Sequence, residues 1–157
     1  MKLVTISDLH GSTTGVYELS AQVGTVDWLL ISGDITHFGG IREAADLLAE
    51  LRLLFPNILA VPGNCDRPEV VDYLRREGLS LHGEGRLLQG VRIVGVGGGL
   101  FAGGHTPLEL KEEAFESLLS DALKQVDQPL PLLMLVHNPP HGTRVDQVHR
   151  AHVGSQV

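Results

Sequence analysis

At 157 residues with 43% hydrophobic side chains, the chain is long enough for one globular domain with a substantial core. A net charge of −7 and the absence of any basic run argue against non-specific nucleic-acid binding, whose affinity comes from clustered Lys and Arg. The single cysteine, Cys65, excludes an internal disulfide, and the longest apolar run, "LPLLMLV" at 130–136, is too short to cross a bilayer.

The chain opens on a short β-branched strand, Lys2 to Ile6, which runs into "SDLHG". No charged-then-apolar leader precedes it, so a reducing, cytoplasmic location is the expectation. "DWLLISGD" predicts a second buried strand ending at Ser32. "IREAADLLAELRLLF" (41–55) carries apolar residues at helical spacing. "NILAVPGN" is a third strand, and "RPEVVDYLRREG" a short helix with Pro68 in its first turn and Gly78 past its end. This alternation predicts a parallel sheet with crossover helices. Residues 85–99 then read as two strands around a turn at Gly90, followed by a glycine-rich loop expected to be mobile. Residues 109–126 form an amphipathic helix, 130–136 another buried strand, and "VDQVHRAHVGSQV" a last helix.

Each of the first three strands ends in polar residues able to bind metal: Asp8 with His10, then Asp34, then Asn64. They recur 26 and 30 residues apart. A βαβ unit takes about 30 residues, so the groups arrive at the same end of neighbouring parallel strands. That carboxyl edge is where open α/β sheets build their sites. His137 closes the strand at 130–136 in the same way. Helix capping accounts for one such residue, but not for all of them at one edge. Carboxylates, imidazoles and an amide oxygen suit Mn, Fe or Zn better than Ca or Mg, and no thiolate set exists for structural zinc.

In these motifs, Asp8-Leu9-His10, Gly33-Asp34, Gly63-Asn64-Cys65-Asp66 and His137, the chain resembles the calcineurin-like metallophosphoesterases. The resemblance implies an α/β four-layer αββα sandwich. It implies that Asp8 and His10 hold one metal, Asn64 and His137 a second, and that Asp34 bridges both. The activity implied is hydrolysis of phosphodiesters or phosphomonoesters with two divalent cations about 3.5–4 Å apart. Two departures stand out. Cys65 occupies the position of the family's general-acid histidine, and a thiol of ordinary pKa about 8.5 is a poor proton donor to a departing alkoxide. The closing G-H-x-H is absent, and His149-x-x-His152 has the wrong spacing to replace it. The expectation is therefore a single domain over 1–157, incomplete at its C-terminus. Its open sheet edge would expose the apolar faces of "RIVGV" and "LLMLV" and favour association, including with a second copy. The alternative is a family-fold scaffold for protein assembly with a damaged metal site.

Outside these motifs, His37, His105 and His141 are candidate substrate contacts, each also readable as a plain surface or loop histidine. His82 and His149 are expected to be exposed. "GVGGGLFAGG" fails as a dinucleotide loop, because position 100 is Leu and no helix opens after it.

Overall fold

The computed structural model describes residues 1–157. The first half is the predicted alternation: β1 (Leu3–Ile6), α1 (Val16–Val23), β2 (Trp28–Ser32), α2 (Ile41–Leu54), β3 (Ile58–Val61) and α3 (Pro68–Arg76). The three strands form a parallel sheet in the order β1-β2-β3, with Leu30 opposite both Thr5 and Leu59. The second half contains β4 (Glu84–Leu88), β5 (Val91–Val96), β6 (Gly99–Leu100), β7 (Glu109–Leu110), α4 (Glu112–Lys124), β8 (Leu132–Val136), β9 (Gln147–Val148) and β10 (Ala151–His152). Its main sheet runs β4-β5-β8, antiparallel across the Gly90 turn and parallel between β5 and β8.

Strand alternation builds the layers. Leu29 and Ile31 of β2 point outward and pack with α2 and α3 through Leu47, Leu48, Leu51, Val70 and Leu74. Leu30 points the other way and joins Leu59, Val61, Ile93 and Leu135 between the two sheets. Val94 and Val96 face outward again, onto Phe115, Leu119 and Ala122 of α4. The result is helix, sheet, sheet, helix. Each buried Leu or Val contributes about 1.5–3 kcal/mol, which lets a core poor in aromatics hold two sheets together.

Several expectations change. Residues 145–157 form no helix; β9 and β10 are an antiparallel hairpin turning at His149 and Arg150, both with positive φ. The helical spacing of its valines loses to Asp146, whose carboxylate accepts hydrogen bonds from the N–H of Gly142, Thr143 and Gly154 and so folds the segment on itself. The helix predicted at 109–126 starts at Glu112, because Glu109 and Leu110 pair with Gly99 and Leu100. Of the two apolar faces expected to open, that of β8 does, with Leu132 and Met134 exposed, whereas Ile93, Val94 and Val96 of "RIVGV" are fully buried.

His82 is buried, contrary to expectation, and its Nδ1 accepts the N–H of Gly97 at 2.9 Å. Burial, with Arg75 nearby, pushes its pKa down from 6.5 to about 4. The folded state therefore keeps it neutral, while the unfolded chain takes up a proton below pH 6.5. Its contribution is fully present above that pH and is lost as the pH falls towards 4. The loss is of order 3 kcal/mol, about 1.36 kcal/mol per pKa unit. Denaturant melts of wild type and His82→Gln between pH 7.5 and 4 should show the steeper decline only in wild type. Parallel curves would disprove the assignment.

Candidate metal centre

The loops after β1 and β2 are zipped together. Asp8 donates its N–H to the Gly33 carbonyl at 3.1 Å, His10 to Asp34 at 2.9 Å and Gly11 to Ile35 at 2.8 Å. Asp8, His10 and Asp34 all lie in the left-handed backbone region, with φ of 57°, 47° and 50°. Such a conformation costs a non-glycine residue about 1–3 kcal/mol and persists only where the surroundings impose it. Gly33 (φ 87°) has no space for a Cβ, which would overlap the His137 ring. Gly63 serves by close approach rather than by an unusual φ: a Cβ there would overlap the Asp34 carboxylate.

Asp34, 4% exposed, sits between two groups. Its Oδ2 faces His10 Nε2 at 3.7 Å, and Asp8 Oδ1 lies 4.0 Å from the same nitrogen. Its Oδ1 faces His137 Nε2 at 3.5 Å and accepts the Cys65 N–H at 2.9 Å. Asn64 Oδ1 is 3.0 Å from His137 Nε2. The five predicted ligands thus meet at one place, in two sets that share Asp34.

The proton inventory is informative. His137 Nδ1 lies 2.8 Å from the Ser32 carbonyl, which can only accept, so Nδ1 carries a hydrogen. Asn64 turns its Nδ2 to Cys65 Sγ, leaving Oδ1 towards His137. On the neutral ring, Nε2, Asn64 Oδ1 and Asp34 Oδ1 are therefore three converging acceptors. A bound cation satisfies all three. His37 Nδ1 lies 3.4 Å from His10 Nδ1. With His37 accepting, His10 presents its Nε2 lone pair to the carboxylates.

Cys65 lies within this cluster: its Sγ, a His10 nitrogen and an Asp34 oxygen all lie within 4.8 Å of one another. Burial first, then the Asp34 carboxylate, push the thiol up to about 12. Sequence reasoning gave Asp66 no role. It is fully buried, and its carboxylate accepts the N–H of Ile35, Thr36 and Gly63 and the Thr36 hydroxyl, clamping the β2 and β3 loops together. The signal was there, a carboxylate two residues after Asn64, but its partners Ile35 and Thr36 are about thirty residues away in the chain.

The remaining candidates separate. His37 lies against His10. His105 and His141 instead line an adjoining cavity of about 820 Å³ whose wall includes Asn64. The glycine loop beside that cavity, expected to be mobile, is pinned by the Glu109 carboxylate, which accepts the N–H of Ala102, Gly104, His105 and Thr106 and the Thr106 hydroxyl. The bonds from Ala102 and Gly104, with a smaller share from Thr106, hold Glu109 at about 2 against the cost of desolvation.

Two sheets between outer helices, with paired oxygen and imidazole donors at the strand ends, define a phosphoesterase-type α/β sandwich. The sequence profile of the calcineurin-like phosphoesterases matches residues 1–154, and the chain belongs to that family. It is 36% identical over 159 residues to the uncharacterized protein MJ1162 of Methanocaldococcus jannaschii, spanning 99% of this chain and 70% of that protein. It shares its fold with TT1561 of Thermus thermophilus, at a TM-score of 0.75 and 21% identity, covering 98% of this chain and 72% of that one.

Proposed function

We propose that the chain is the catalytic part of a phosphodiesterase whose centre holds two divalent cations, Mn, Fe or Zn. Asp8, His10 and Asp34 hold one, and Asp34, Asn64 and His137 the other. The observation that carries this is the convergence of acceptors on Asp34, with three of the five ligand candidates in left-handed backbone. Left-handed backbone at non-glycine residues clusters at functional sites, which supports a working site over a scaffold. Bound there, the cations supply Lewis-acid polarisation of a phosphoryl group and acidify a water for attack.

The chain's own residues prepare the site. Ser32 fixes the His137 tautomer, His37 lies against His10 with the two Nδ1 atoms 3.4 Å apart, and Asp66 holds the two loops at a constant separation. A thiol at position 65, where the family motif has an imidazole, supports diesters with good leaving groups as substrates. His105 and His141 are the proposed substrate contacts; His37 is a positioning residue for His10. No helix is long and apolar enough to cross a membrane, and a cytoplasmic location accords with the lone, unpaired Cys65. Titration of the purified chain with Mn²⁺ and elemental analysis should find two ions per chain, and a chelator should abolish hydrolysis of a bis-nitrophenyl phosphate. No stoichiometric binding would refute the proposal.

A further inference from the structure

The hairpin β9–β10 is held in place more firmly than a surface loop requires. Its turn residues His149 and Arg150 have φ of 47° and 72°, a conformation usually left to Asn and Gly. Gly154 packs so closely on Pro139, Pro140 and His141 that a Cβ would overlap backbone. Ser155 bonds Pro139, His141 and, through its hydroxyl, Glu112 of α4.

At the centre of this construction is Asp146, its side chain fully buried. Besides the three backbone N–H groups that fold the segment, it receives His152 Nδ1 at 2.8 Å. Burial works to raise its pKa, but the His152 hydrogen bond and the Gly142 and Gly154 N–H groups outweigh it and hold the carboxyl at about 2. Asp146 is thus an acceptor only, and His152 Nδ1 must carry a hydrogen. The other ring nitrogen, Nε2, is left free. The ring is 35% exposed and lines the same cavity as Asn64. His141 meets it edge-on at 5.4 Å, with Glu112 beside His141 and His105 and Glu109 on the same cavity. An imidazole oriented by a buried carboxylate, facing a cavity shared with a metal centre, has the anatomy of a proton donor.

Given the phosphoesterase reading above, we infer that His152 is a catalytic residue on the leaving-group side and that Asp146 is its positioning residue. A water oxygen forms the new P–O bond. The P–O bond to the leaving group breaks, and its electron pair goes to the departing oxygen. The Nε2 proton of the imidazolium neutralises that oxygen. The proton of the attacking water goes to solvent, from which His152 is recharged.

The test compares wild type with His152→Gln, both Mn²⁺-loaded, on a nitrophenyl and an alkyl diester of the same phosphate. The alkyl ester should slow by about 10²-fold or more and the nitrophenyl ester far less, because only the alkoxide needs the proton. Calorimetry on the Zn²⁺-loaded proteins gives a readout independent of turnover. Vanadate, which places an apical oxygen at the leaving position, should bind His152→Gln about tenfold more weakly, while inorganic phosphate binds equally. Equal losses on both esters, or unchanged vanadate affinity, would overturn the role of His152 and leave the phosphoesterase reading standing. Failure of wild type to bind either anion would remove both.

Discussion

Asp34→Asn is expected to be more damaging than any other single change among the candidate ligands. Asp34 alone presents one oxygen to each group, Oδ2 to His10 and Oδ1 to His137. The amide removes the negative charge from both sides and replaces one acceptor by an N–H₂ donor. Losing even a supporting residue of a metal site typically costs about 10–100-fold, so loss of the shared ligand should exceed about 100-fold in kcat/KM. Asp8→Asn should be milder, because Asp8 touches only one set and is half-exposed. The fold itself should survive, since Asn tolerates the left-handed conformation as well as Asp does. Elemental analysis alongside kinetics separates the effects: both cations should be depleted. Loss of one cation only, or activity within tenfold of wild type, would contradict the bridging role.

In a His152→Gln background, Cys65→His is expected to raise activity on esters with poor leaving groups by up to about 10²-fold, and that on nitrophenyl esters far less. The wild-type thiol sits beside three carboxylates in a largely buried position, and at about 12 it releases a proton poorly. An imidazole on the same backbone would bring a proton near neutral pH. It must find room where Cys65 is 9% exposed, so some loss of stability should accompany the gain. The placement of Sγ among the His10 and Asp34 ligand atoms allows a second outcome. If the thiol is itself a ligand, the variant will change metal content and slow both substrate types together. In a Cys65→His, His152→Gln double variant, recovery on the alkyl ester would show that the two positions serve the same leaving oxygen.

Much of this protein follows from local features of its chain. The βαβ alternation was legible because helical and strand periodicities are set by near neighbours, and Gly78, Pro68 and Gly90 mark boundaries that only particular backbones allow. The candidate ligands were legible for the same reason. Each closes an apolar strand, and parallel strands bring like ends together, so Asp8, His10, Asp34, Asn64 and His137 converge without any knowledge of distances.

Where a residue's state depends on particular side-chain-to-backbone bonds rather than on periodicity, local pattern failed. His82 looked like a surface histidine, yet Gly97 and the inter-sheet packing bury it. Asp66 clamps loops about thirty residues apart, and Glu109 gathers a loop that glycine content alone marks as mobile. Residues 145–157 carry helical spacing, but a helix there would leave the buried Asp146 carboxylate without the N–H groups of Gly142, Thr143 and Gly154. A hydrogen bond to a charged group contributes about 1.5–3 kcal/mol, more than the few tenths per residue at stake in helix propensity. That difference in magnitude is why the sequence alone determined the layers and the strand-end ligands, while only the tertiary structure decided the hairpin and the orientation of His152.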